Sequence, residues 1–235
     1  MSVLLMQLAG PLQSWGSSSR FARRSTESAP TKSGVIGLLA AALGRRRDDD
    51  LTDLAGLRFG VRIDQPGVSV RDFQTAHHFI TDAAMPVSNR YYLADAVFVA
   101  AVEGEERLIN ELHQALRDPV FLPYLGRRSC PPARRVDLGV RDLPLVEALE
   151  QEEWRASPWH QRRHRDLCVT LEGLVEATPA DGPVDTLRDQ PLSFDPRHRR
   201  YALRGVLRLS FQVRNPAARS AVPPDHDPTS VLRGT

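Results

Sequence analysis

Arginine is the residue type through which this chain could do most chemistry. Of the 31 lysines and arginines among 235 residues, Lys32 is the only lysine. A guanidinium offers a planar fork that grips phosphate in bidentate fashion and stacks on bases, and an ammonium does neither. Genomic base composition can produce the same bias, and charged residues usually form a solvated face. Position along the chain therefore decides what the arginines mean. They gather at Arg20, Arg23 and Arg24, at Arg45 to Arg47, at Arg127 and Arg128 followed by Arg134 and Arg135, at Arg162, Arg163 and Arg165, and at Arg197, Arg199 and Arg200. Several clusters adjoin Gly, Pro or Ser, the composition of loops.

Other constellations carry less. His160 and His164 in HQRRH would share a helical face, but the glutamate of the zinc-protease motif is missing and two arginines between them oppose a cation. Asp48 to Asp50 follow Arg45 to Arg47 and read as a solvated turn at a helix end rather than a magnesium site. Cys130 and Cys168 are too few and too far apart for a disulfide framework or a zinc site, which points to a reducing compartment. The sequence has neither a phosphate-binding P-loop nor a G-x-S-x-G string. No metal, no cofactor and no catalytic residue is expected. One enzymatic route stays open, acid–base cleavage of RNA by a histidine such as His77 or His78.

The elements that must position these groups follow from periodicity. Val3 to Ala9 reads as an apolar strand stopped by Gly10-Pro11, and Ser17 to Ser28 reads as a polar, basic loop. Thr31 or Ser33 caps a helix through Leu43, with Gly44 as its stop, and that helix is apolar almost all round, so it is expected against a sheet. Leu57, Phe59, Val61 and Ile63 alternate with Arg58, Gly60 and Arg62, the pattern of a half-buried strand. Ala94 to Val102 is a further strand. Leu108, Ile109, Leu112 and Leu116 mark one face of a helix over Glu105 to Arg117, and Val120 to Leu125 is expected to close the unit as its fourth strand.

That order predicts an α+β fold with a ferredoxin-like, RRM-like β-α-β-β-α-β domain over residues 1–125. Many functions share this arrangement, so it supports RNA binding only weakly. An insertion at about 65–93 is too long for a hairpin loop and should project. It interleaves Val68, Val70, Phe73, Phe79, Tyr91 and Tyr92 with Arg71, Gln74, His77, His78, Asn89 and Arg90, either to stack bases and hold phosphates or as a satellite apolar cluster. Residues 126–214 form a β-rich C-terminal region, with a helix near Leu145 to Trp154, a strand near Leu167 to Glu176 and a last strand over Tyr201 to Arg214. A disordered tail is expected over 215–235.

Bulk properties bound the rest. A chain of this length with 41% hydrophobic residues buries a core without staples, and its net charge is +2. The start, MSVLLMQLAGPLQSWG, has only a short apolar run and no basic leader, so neither a signal peptide nor a membrane span is expected. The cytoplasm is the expected location.

Four strings in order, QLAGPLQSWG (7–16), APTKSGVIGLLAAALGRRRDD (29–49), VSVRDFQTAHH (68–78) and PYLGRRSCP (123–131), resemble the CasD family of RAMP-superfamily subunits from type I-E CRISPR Cascade. Beyond Pro131 the similarity is thin. The resemblance implies a non-catalytic, RNA-binding subunit of a ribonucleoprotein for antiviral defence. Such a subunit caps the 5′ handle of the crRNA and touches a CasC-like backbone subunit and a CasA-like large subunit. It would meet target DNA only through the complex. Relatives in type I-C systems cleave precursor crRNA without a metal, which is the alternative. Carried over by position, the resemblance implies RNA contacts at Gln13, Trp15 and Gly16, and at Thr31, Lys32, Ser33 and Gly34, where a helix N-terminus can receive phosphate. It also implies contacts at Arg45 and Arg46, along the thumb at Arg71, Phe73, Gln74, His77 and His78, and at Arg127 and Arg128. On the residues alone, Trp15 packs the core or stacks a base, and Arg127 and Arg128 grip RNA or pair with carboxylates.

Overall fold

The computed structural model describes residues 1–16 and 23–218. In chain order its elements are β1 (Ser2–Ala9), β2 (Leu12–Gln13), β3 (Arg23–Arg24), α1 (Lys32–Ala42), α2 (Thr52–Ala55), β4 (Arg58–Gln65), β5 (Val68–Gln74), β6 (Ser88–Ala94), β7 (Val97–Gly104), α3 (Glu106–Arg117), β8 (Asp137–Arg141), α4 (Leu145–Gln151), α5 (Pro158–Arg163), β9 (Cys168–Glu176), β10 (Asp185–Ser193) and β11 (Arg200–Arg214). The main sheet has seven strands in the order β10-β11-β9-β4-β7-β1-β8, and each neighbouring pair is antiparallel. This is an α+β fold with a mainly antiparallel sheet and few helices.

β1 is buried along its whole length because the sheet is covered on both faces. Leu4, Met6 and Leu8 point into a cluster with Val35, Ile36 and Leu39 of α1 and Ile109 and Leu112 of α3. Val3 and Leu5 point the other way, onto Leu145, Ala148 and Leu149 of α4. A strand covered twice reads as a continuous apolar run, and each such side chain contributes roughly 1.5–3 kcal/mol of burial.

β4 was expected to wet one face, and it does not. Phe59 and Val61 join the cluster under α1, whereas Arg62 on the other face is 0% exposed. Its guanidinium forks onto Asp64 at 2.7 and 3.0 Å and donates to the carbonyls of Leu149, in the last turn of α4, and of Glu152 and Glu153 just beyond it. Five donors on one side chain can satisfy the carbonyls a helix end leaves over. An arginine in a strand's polar register therefore became a buried bolt for the segment after α4. In β11 the apolar alternation slips in a similar way: Leu203 is exposed, and Arg204 is buried against Asp189 at 2.8 and 2.9 Å and over the Phe59 ring.

The fourth strand expected at Val120–Leu125 is not a strand. The amides of Val120 and Phe121 donate to the carbonyls of Ala42 and Ala41 and close the C-terminal end of α1 instead of joining a ladder. The sheet edge beside β1 belongs to β8, with a register shift between Leu5 and Met6. The segment after 125 continues the same sheet, since β9 pairs with β4 through Gly60, Val61 and Arg62. The insertion at 65–93 is a hairpin: β5 and β6 pair antiparallel from Val68↔Ala94 to Gln74↔Ser88. Within the expected loop 17–28, β3 pairs parallel with β6, and residues 17–22 lie outside the described residues. The expected tail lies largely outside them too, from 219 onward. Asn215 is still held, its amide donating to Leu167 O and its side chain to Gln161 O and His164 O.

Candidate nucleic-acid interface

Three loops close on the N-terminal half of α1. Thr31 caps the helix, its hydroxyl accepting from the Gly34 amide at 3.2 Å. A Cβ on Gly34 would stand 2.8 Å from the Trp15 ring, so glycine there lets the indole lie flat under the helix. Trp15 is 0% exposed; its Nε1 donates to Gln13 Oε1, and Gln13 Nε2 donates to Leu8 O and Ala96 O. Gly126, at φ +82°, passes so close to Ser14 O that a Cβ would be 1.8 Å from it, and the Ser14 amide donates to Leu125 O. The loops after β2 and after α3 are thus clasped backbone to backbone.

Beside this clasp opens a groove of about 1460 Å³. Its floor is the small-residue face of α1, Gly34, Gly37 and Ala41, next to Thr31 and Ser33. One side is the Phe121–Arg128 segment; the others are Arg45 to Asp48 and the turn between β10 and β11, with Phe194, Arg199 and Tyr201. Arg24, Arg46, Arg47, Arg128 and Arg199 line it and are exposed, facing a single lining carboxylate, Asp48. Cations interleaved with Tyr124, Tyr201 and Phe194 over a floor made largely of glycine and alanine, with Leu38 and Trp15 buried beneath it, suit a polyanion carrying flat bases.

The expected contacts divide. Gly16, Thr31, Ser33, Gly34, Arg45, Arg46, Arg127 and Arg128 meet at the groove. Trp15 borders the groove but is 0% exposed and packs in the core cluster, with Gln13 buried beside it. Lys32 is 1% exposed, its Nζ within 2.9 and 3.0 Å of the Glu176 carboxylate and its amide on Asp189 Oδ2 at 2.8 Å. Burial pushes its ammonium below the usual lysine range despite that partner. An internal carboxylate thus already occupies an amide at this helix end. Arg45 is bound to both oxygens of Asp53, which raises the Arg45 guanidinium and lowers the Asp53 carboxyl from their ordinary values. Arg127 donates to Arg24 O at 2.9 Å and lies 4.7 Å from the Tyr92 ring centre, with Nη1 buried and unpaired among the described residues. Arg71, Phe73, Gln74, His77 and His78 are on the hairpin and do not line the groove. Phe73 is 69% and Phe79 101% exposed, while His77 leans on Asp82 and His78 on Thr81.

Arg24, Arg47 and Arg199 were missing from the expected contacts, although each falls within an arginine cluster visible in the sequence. Phe194 and Tyr201 had no such signal. His160 and His164 have ring centres 5.1 Å apart beside Trp154; no group of three or more potential ligands is placed to hold a metal among the described residues. No helix among them is long and apolar enough to cross a membrane.

Residues 3–207 match the family model for the CRISPR-associated protein Cas5. The chain belongs to that family. This Cas5 chain is 38% identical over 158 residues to the CRISPR system Cascade subunit CasD of Escherichia coli (strain K12), a match covering 59% of this chain and 70% of the relative. Among solved structures it resembles one described as a crystal structure of a Cas protein (38% identity, TM-score 0.70, 94% of this chain and 100% of that one). It also resembles a chain of a CRISPR RNA-guided surveillance complex (34% identity, TM-score 0.75, 90% of this chain and 91% of that one). It is a Cas5 subunit of the CasD type.

Proposed function

We propose that this Cas5 chain is a non-catalytic subunit of a Cascade-type CRISPR surveillance complex and that it binds and caps the 5′ handle of crRNA. The observation that carries this reading is the groove, in which exposed guanidiniums from distant segments face one another across α1. The CasD relative and the RNA-guided complex supply the assembly. On this reading the partners are crRNA, a CasC-like backbone subunit and a CasA-like large subunit, with target DNA met only through the complex, in the cytoplasm. The order β4-β7-β1-β8, with α1 and α3 on one face, supports a ferredoxin-like, RRM-like core. The β5–β6 hairpin serves as the thumb, its exposed Phe73 and Arg71 offering a stacking face and a charge to RNA. Lys32 serves as an internal tie rather than a phosphate contact. The histidines at the hairpin's end stand apart from the groove, so RNA held there meets no acid–base pair from them.

The test is filter binding at physiological salt with a labelled crRNA carrying its handle and with the same RNA lacking it. We expect about a hundredfold or stronger preference for the handle, as two or more lost charge-assisted contacts would give, with the RNA recovered uncut. Equal affinities would contradict handle recognition. Discrete cleavage within the repeat would make the chain a nuclease. Weakening by added salt reports phosphate contacts alone, because counterion release carries no sequence information.

A further inference from the structure

We infer that the turn between β10 and β11 is a second wall of the RNA groove, on which Tyr201 stacks an unpaired base while Arg199 holds the adjoining phosphate. The inference rests on the groove being the RNA interface and assigns a nucleotide-binding role to the C-terminal part of the sheet.

The turn is seated on α1. The Phe194 ring lies over Gly37 of the helix, where an added Cβ would meet it at 3.7 Å. Tyr201 follows it into the groove, with ring centres 6.5 Å apart and planes inclined at 53°. Between them the chain is ordered by its own hydrogen bonds: the Asp195 amide donates to Ser193 Oγ, and the Arg197 and His198 amides donate to Asp195 Oδ1 and O. Arg199 lines the groove, exposed and without an ion pair among the described residues. A partly buried aromatic ring beside a free guanidinium, both facing cations across the glycine- and alanine-rich face of α1, is the arrangement that holds single-stranded nucleic acid.

What fixes this wall opposite the other is a chain of buried ion pairs. Lys32, at the first turn of α1, reaches Glu176 of β9 at 2.9 Å and, through its amide, Asp189 of β10 at 2.8 Å. Asp189 in turn takes the fork of Arg204 from β11, three residues after Tyr201. Each of the last three strands is thereby tied to the helix that forms the groove floor, directly or through one carboxylate. Gln190 adds a bond to Ala55 O at the end of α2. A wall held in place before the ligand arrives loses little freedom on binding. Lys32 is a positioning residue in this account.

The test compares full-length variants for affinity toward crRNA carrying its handle, with melting midpoints recorded for each. Tyr201→Ala should weaken binding about tenfold, the range of one lost base stack, and Tyr201→Phe should stay within about twofold because the ring face remains. Arg199→Glu, a change at an exposed position that does not threaten folding, should weaken binding more than Arg199→Ala. Arg46→Ala with Arg128→Ala, on the opposite sides of the groove, is the reference. If the reference weakens binding while every Tyr201 and Arg199 variant binds as the native chain does, the second wall is wrong and the groove stands. The same pattern with loss of assembly into the complex would assign the turn to a protein partner. If the reference also binds normally, the groove itself is not the RNA interface and the inference falls with it.

Discussion

Charge at a single residue means little here until its partner is known. Arg62, Lys32 and Arg128 are all cations in a chain rich in them, yet the first two are spent inside the protein and only the third faces solvent. Arg62 shows the difference in energetic terms. Its removal would leave Asp64, 0% exposed, without its fork, along with carbonyls of the segment after α4. Burial already pushes the Asp64 carboxyl up against the pull of Arg62. Arg62→Ala should therefore cost about 3–5 kcal/mol, the range for breaking a buried pair. The melting midpoint should fall by roughly 6–20 °C for a chain of this size. Handle RNA affinity measured well below the new midpoint should be unchanged. An unchanged midpoint would remove Arg62 from the core. The sequence showed the arginine clusters but not which cations are paired: Asp64 lies only two residues from Arg62, but their shared burial depends on α4 packing over the strand, and Asp189 and Glu176 reach Arg204 and Lys32 only through the fold.

At the scale of elements, legibility followed periodicity. α1, α3 and β1 carry their signal in side chains that pack, and their expected spans lie within a few residues of those observed. Val120 to Leu125 misled because a short apolar run says nothing about where its amides go. Here they go to the end of α1, leaving Val120, Phe121 and Leu122 exposed. The glycine-containing loops were legible as turns but not as a clasp, since close approach of two backbones leaves no pattern in composition. Gly126 tests that clasp. Alanine there meets Ser14 O and must hold φ +82°, a strain of about 1–3 kcal/mol. Gly126→Ala should lower the melting midpoint and also weaken RNA binding, because the 121–128 side of the groove moves with it. A variant with native stability would mean that the loops are not held together as described.

Across the whole molecule, the groove exists because distant parts of the chain share one sheet. β4 joins β7 on one side and β9 on the other, so the turn after β10 can stand across α1 from the loop after α3. The four strings that resemble CasD fall within the first 131 residues, and they pointed to the family and to much of one side of the groove. Arg199, Phe194 and Tyr201 were beyond their reach because that similarity thins before the strands carrying them. The central claim is that RNA lies in this groove, and the most direct measurement is ultraviolet crosslinking of handle-bearing crRNA to the full-length protein, read out by peptide mass spectrometry. Crosslinks are expected in peptides containing Phe121 to Arg128 and Phe194 to Tyr201, with further ones on the β5–β6 hairpin. Crosslinks confined to α4 and α5, on residues 145–163, would place the RNA elsewhere and contradict the account.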